Sequence, residues 1–248
     1  MKARRTKAPP AALAKDAAIH EAIAHAILEG RLKAGSRLPE HRLAELFGVS
    51  RERIRKILHR LAAERRLELV PNRGVRVPSP SLDDIHRVYE AHRVLEAGVL
   101  SQLVNTVDDA LLAKLDAHLA AERDAAERND RAESVRLSGA FHVHLVDALG
   151  NPELSRFLRE LLSRSSVMVS VYEPASQSIC AVDEHGAIVE ALRAHDPARA
   201  ISLSHHHFHH VEQRLRLEPQ SDDRTVDLDA VFAASAPVKS GRSRKASA

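Results

Sequence analysis

Tryptophan is absent from the 248-residue chain, and cysteine occurs once, at Cys180. A single cysteine excludes an intrachain disulfide framework and fits a reducing cytoplasm. No apolar run approaches the ~18 residues of a membrane span. The start, MKARRTKAPP, is basic, but no continuous apolar segment follows it, so a signal peptide is not expected. Glycine is scarce, whereas alanine and leucine abound, so the chain is expected to be mainly helical. Its length allows one or two domains with real cores.

What the chain has is unevenly distributed charge. Residues 1–80 carry 18 Lys/Arg against 8 Asp/Glu, and residues 81–218 carry 14 against 22. A basic front and an acidic rear imply that only the front meets a polyanion. Inside the front, LPEHRLAELFGVSRERIRKILHRL (Leu38 to Leu61) reads as helix, tight turn, helix. Pro39 suits a first helical turn, and Leu43, Leu46 and Phe47 share one face. Gly48 sits where the helix must stop, and Ser50 is a candidate N-cap for the next. That second helix sets Ile54, Ile57, Leu58 and Leu61 against Arg51, Arg53, Arg55, Lys56 and Arg60. A short helix that is apolar on one side and cationic on the other suits a DNA major groove.

Elements around this motif follow from periodicity. Ile19, Ile23, Ala26 and Ile27 share a helical face over 17–29. After the second helix the period shortens: Leu67, Leu69, Val75 and Val77 alternate around Pro71-Asn72-Arg73-Gly74, which predicts a β-hairpin wing. The spacing then predicts helices over 82–103, 107–128, 130–149, 152–171, 180–194 and 196–216. Gly150-Asn151-Pro152 and Asp196-Pro197 punctuate them. The expected organisation is a disordered basic arm (1–14), a winged helix-turn-helix (15–78), a proline-rich linker (79–81), an all-α antiparallel bundle (82–217) and a disordered tail (218–248).

The stretch RLPEHRLAELFGVSRERIRKILHRLAAERRLELVPNRGVRV resembles the winged helix-turn-helix of the GntR family of bacterial transcription regulators. The rear, with YEAHRVLE (Tyr89 to Glu96), Phe141-His142, GNPEL (Gly150 to Leu154) and EHGAIVEALRAHD (Glu184 to Asp196), is similar to the FCD ligand-binding domain of the FadR subfamily. The resemblance covers about residues 15–217. It implies a homodimer on a palindromic double-stranded DNA operator, and a small effector, often a carboxylate, that alters DNA binding. It assigns DNA contacts to Arg37, His41, Arg51 and Arg55, with Arg73 and Gly74 on the wing. Where the family often has Thr-Pro after the first recognition-helix Arg and Glu after the second, this chain has Glu52, Arg53 and Lys56.

Sixteen histidines are present. Most need no special role, but the resemblance gives His142, His185 and His207 as metal ligands, on three different predicted helices. Imidazole ligands suit transition metals such as Zn or Ni. The family's fourth ligand, an Asp or Asn one turn before the first His, is replaced by Ser138. Its effector-binding Arg is replaced by His92, with Arg93 adjacent, so His92, Arg93 and Ser138 are the candidate effector residues. In the run from His205 to His210 helical spacing lets about two of five histidines face inward; His207 is the inward choice and His210 the alternate.

The expected function is therefore a cytoplasmic, ligand-responsive transcription regulator, commonly a repressor, without enzymatic activity. Two other classes are open to the same residues. One is a metal-dependent hydrolase on the three histidines, with Glu184 or Glu190 as the base. The other is an architectural DNA-binding protein with no ligand.

Overall fold

The computed structural model describes residues 11–173, 181–215 and 226–233. Helix α1 (Ala11–Leu28) leads into α2 (Glu40–Phe47), α3 (Arg51–Ala63) and a hairpin of β1 (Glu68–Val70) and β2 (Gly74–Arg76). The turn between α2 and α3 forms as its residues dictate. Gly48 takes φ 60°, a left-handed cap that spares the chain a Cβ penalty, and the Ser50 side chain accepts from the Arg53 N–H. The strands pair antiparallel in the register Glu68 with Arg76, Leu69 with Val75 and Val70 with Gly74. Leu38 N–H donates to the Val75 carbonyl and Val77 N–H to that of Ser36, so the segment before α2 lies along the hairpin. Leu69 departs from the expected alternation. It is 46% exposed although its cross-strand partner Val75 is buried.

Helix α1 begins at Ala11, so residues 11–14, expected in the basic arm, are helical. Ala-Ala-Leu-Ala-Lys is among the strongest helix-forming compositions, and propensity outweighs proximity to the terminus. Residues 1–10 of the arm lie outside the described residues.

The rear domain is a bundle of α4 (Leu82–Leu103), α5 (Asp109–Glu127), α6 (Arg131–Ala148), α7 (Pro152–Tyr172), α8 (Ala181–Arg193) and α9 (Pro197–Arg214). Ser81, Asp108, Asp130, Asn151 and Asp196 each cap a helix N-terminus with a side-chain oxygen. Apolar packing divides into two clusters. One surrounds Leu100, Leu115, Phe141 and Leu192; the other holds Ile85, Tyr89, Met168 and Phe208. The front domain rests on the bundle through α1, which packs on α6 and α7. At the end of α1, Gly30 has φ 69°, and a Cβ there would stand 3.0 Å from the Ser170 carbonyl of α7.

The tail, expected to be disordered from 218, contains a packed piece. Residues 228–231 form α10 (Leu228–Val231). Leu228 and the following Phe232 enter the winged-helix core, where the Phe232 ring meets that of Phe47 edge-on at 5.2 Å. Arg42 of α2 pairs with Asp229 at 2.7 Å, and Arg31 donates to the Val231 carbonyl. Overall polarity hid this short apolar i, i+3, i+4 pattern. Residues 216–225 and 234–248 lie outside the described residues.

Candidate functional site

On the front domain, α3 buries Ile54, Ile57, Leu58 and Leu61 and leaves Arg51 and Arg55 exposed one turn apart. Arg53 is diverted from this face: it pairs with Asp16 of α1 at 2.7 Å and ties the two helices together. Arg55 donates to both oxygens of Glu40, at 2.9 to 3.2 Å. These hydrogen bonds hold the Glu40 carboxyl below the usual carboxylate range. An exposed pair of this kind contributes little to stability, so a phosphate or base edge can displace Glu40 cheaply. His41 is exposed on the first turn of α2, and Arg73 and Gly74 are exposed at the hairpin tip, where Asn72 and Gly74 take positive φ. Arg37 is half-buried and bridges to Arg76. Of the six candidate DNA residues, Arg51, Arg55, His41, Arg73 and Gly74 are thus exposed, and Arg37 is half-buried.

In the bundle, α6, α8 and α9 bring His142, His185 and His207 together. Their donor atoms lie within 4.8 Å of one another, and all three residues are buried. Each ring presents Nδ1 to a different carboxylate: His142 to Glu96 at 2.7 Å, His185 to Glu122 at 2.9 Å and His207 to Glu184 at 2.7 Å. A carboxylate only accepts, so each Nδ1 carries a proton, and Nε2 is the atom that each ring, when neutral, offers to a ligand. His185 Nε2 is buried with no partner, which costs about 1–3 kcal/mol unless something fills the position. Phe141 stacks on His185 at 4.1 Å and Phe208 on His142 at 5.1 Å, fixing the ring planes.

Burial favours the neutral, ligating form of His185 and His207. Burial opposes charge on Glu96, but His142 and His92 hold its carboxyl down at about 2. Glu122 and Glu184 are likewise desolvated, and their imidazole partners bring each to about 2. Burial pushes the His207 imidazole down to about 3 against the pull of Glu184, and lowers His185 against Glu122. Neutral imidazoles backed by ionised carboxylates are the state in which histidine binds a metal. The three-histidine group can therefore hold a transition-metal ion.

Beside it is a cavity of about 80 Å³ lined by Ser134, Ser138, Ser165, Tyr89, His142, His207 and Arg214 among others. That is room for several waters or a small organic acid. Ser138 faces this space, one turn before His142. The other two candidate effector residues do not line it. His92 is fully buried between Glu96 and Ser165, at 3.3 and 3.2 Å, and stacks on Phe208. Arg93 pairs with Glu212 at 2.8 Å. The reason is helical phase: the face of α4 that meets the cavity carries Tyr89, and Arg93 is turned toward α9. The cavity's cation is Arg214, held by Glu173 at 2.8 Å, and the Tyr89 hydroxyl is buried there without a partner.

Sequence reasoning did not identify Glu96 and Glu122, which position the histidines, or Tyr89 and Arg214. The i, i+4 pairs His92/Glu96 and His118/Glu122 were the available signal. Glu184 and Glu190 were weighed as hydrolytic bases. Glu184 instead backs His207 on its Nδ1 side, and Glu190 is an exposed partner of Arg193. His210 is half-exposed and bonds Glu184, whereas His205, His206 and His209 face solvent.

Comparison with known proteins converges on one family. The model for bacterial regulatory proteins of the gntR family matches residues 15–77, and the FCD domain model matches residues 87–210. The probable D-xylose utilization operon transcriptional repressor of Paenarthrobacter nicotinovorans is 28% identical over 76% of this chain and 83% of its own length. The gluconate operon transcriptional repressor of Bacillus subtilis is 24% identical over 76% of this chain and 80% of its own. Among solved structures, that of a transcriptional regulator GntR from Rhodococcus sp. RHA1 superposes with a TM-score of 0.68 at 22% identity, covering 81% of this chain and 96% of that one.

Proposed function

The chain belongs to the GntR family of bacterial regulatory proteins, in its FCD-domain branch, and from that premise we propose that it represses a metabolic operon as a homodimer and is released by a small carboxylate effector. It is a DNA-binding transcription regulator and not an enzyme. No described helix is long and apolar enough to cross a membrane.

The observation that carries the effector half is the orphaned His185 Nε2 inside a ring of three carboxylate-backed imidazoles. His142, His185 and His207 hold Zn or Ni through Nε2. When bound, the ion offers open coordination positions to water or to an effector carboxylate. Because Ser138 stands where the family has an Asp or Asn ligand, more of the coordination sphere is left to solvent or effector. Arg214 and the unpartnered Tyr89 hydroxyl supply a cation and a donor for a polar group in the same cavity. The two relatives named for D-xylose and gluconate operons support a sugar or sugar-acid pathway as the setting. An effector shifts DNA affinity only by binding the two arrangements of the dimer unequally.

The DNA half is tested on a duplex selected from a random library with the wild-type protein. At fixed salt, Arg51→Ala and Arg55→Ala each weaken binding about 5–150-fold, the equivalent of losing one bidentate base contact of about 1–3 kcal/mol. Unchanged affinity in both variants, with the helical signal intact, would remove α3 from the groove. Release by effector is read on the same duplex, by titrating gluconate and other small carboxylates against the metal-loaded protein.

A further inference from the structure

Glu184 uses only one of its carboxylate oxygens on the inner histidine. Oε2 accepts from His207 Nδ1 at 2.7 Å, and Oε1 faces outward to His210 Nδ1, also at 2.7 Å. His206 lies one turn before His210 on α9, their ring centroids 3.8 Å apart. The donor atoms of Glu184, His206 and His210 all lie within 4.8 Å of one another. We propose that these three side chains form a second, solvent-facing site for a transition-metal ion, separate from the inner centre and joined to it through the Glu184 carboxylate.

The chemistry and the geometry agree. Two histidines at i, i+4 on one helix face can chelate a single ion, and a carboxylate from the neighbouring helix supplies a third ligand. Ligands at about 2.0–2.1 Å from a tetrahedral ion lie roughly 3.3–3.4 Å apart. The gap is closed by rotating His206, which is exposed, and His210, whose side chain is 41% exposed. Glu184, at 16%, is already fixed by His207. The imidazole and carboxylate set suits Zn, Ni or Cu. The other i, i+4 pair of this helix, His205 and His209, forms no such group with a carboxylate among the described residues, and His209 contacts Gln213. An ion on Oε1 draws charge away from the oxygen that backs His207, so filling the outer site weakens the inner one, and by linkage the converse holds.

The outer site does not require the inner one to bind metal. The test is calorimetric titration of Zn into untagged, metal-free, full-length protein. Wild type takes two ions per chain if both sites exist. The double variant His206→Ala/His210→Ala loses one class of site and keeps the inner ion; His142→Ala does the reverse. His205→Ala/His209→Ala keeps the wild-type count. If the His206/His210 variant binds as many ions as wild type, or if the His205/His209 variant loses as many, there is no defined outer site. Loss of stoichiometry in His142→Ala alone would support the inner centre and sink the outer one. All the residues substituted in the two surface variants are at least partly exposed, and circular dichroism confirms that they remain folded.

Discussion

Phe232→Ala lowers the stability of the winged-helix domain by about 3–5 kcal/mol, although the residue lies more than a hundred and fifty positions from that domain in sequence. The ring is fully buried against Phe47 and shares a cluster with Leu43, Ile54 and Leu58. Deleting a buried aromatic ring costs both its transfer free energy and a cavity. Asp229→Ala, which removes an exposed pair with Arg42, costs at most about 1 kcal/mol. Hydrogen exchange resolved to α2 and α3 checks both variants. Equal protection in wild type and Phe232→Ala would mean that the segment is not docked. Although this segment follows the bundle in sequence, α10 packs on α2 of the front domain.

His142→Ala reduces affinity for the inner ion by more than the ~10–100-fold typical of losing an outer-shell partner, because it deletes a ligand outright. It also takes from Glu96 the imidazole that bonds it at 2.7 Å, leaving a buried carboxylate with His92 alone. The metal-free variant is therefore less stable than metal-free wild type, by as much as about 3–5 kcal/mol. Glu122→Gln separates the two effects: all three ligands remain, and affinity falls by only about 10–100-fold. Competition with a chromophoric chelator measures the affinities, and urea denaturation measures the stabilities. An undiminished affinity in His142→Ala would place the ion elsewhere.

These residues also show what the sequence discloses and what it conceals. The recognition helix was legible because its signal is local. Gly48, Ser50 and the apolar spacing of Ile54, Ile57, Leu58 and Leu61 lie within one short segment. Bundle helices were legible to within two residues at most ends for the same reason, since Asn151-Pro152 and Asp196-Pro197 set them locally. The three histidines were found through resemblance to a family, and the structure brings them together. Glu96 and Glu122 are hidden from the sequence, and Glu184 reads there as a base and not as a partner of His207, because all three meet their histidines across helices, at separations of 46, 63 and 23 residues. The sequence points to Arg93 and not to Arg214, because adjacency in sequence is visible and helical phase between packed helices is not. The α10 segment was missed because four helical residues in a polar tail leave too little periodicity to read.

The central claim is that the rear domain is a metal-centred effector pocket, and the most direct test is the metal content of untagged protein after dialysis, measured by elemental mass spectrometry beside His142→Ala. The account predicts about one tightly held transition-metal ion per chain in wild type and none in the variant, the outer ion being lost on dialysis because His206 is exposed and the His210 side chain is 41% exposed, whereas all three inner ligands are buried. No metal in wild type, and none retained after incubation with Zn or Ni, would contradict it.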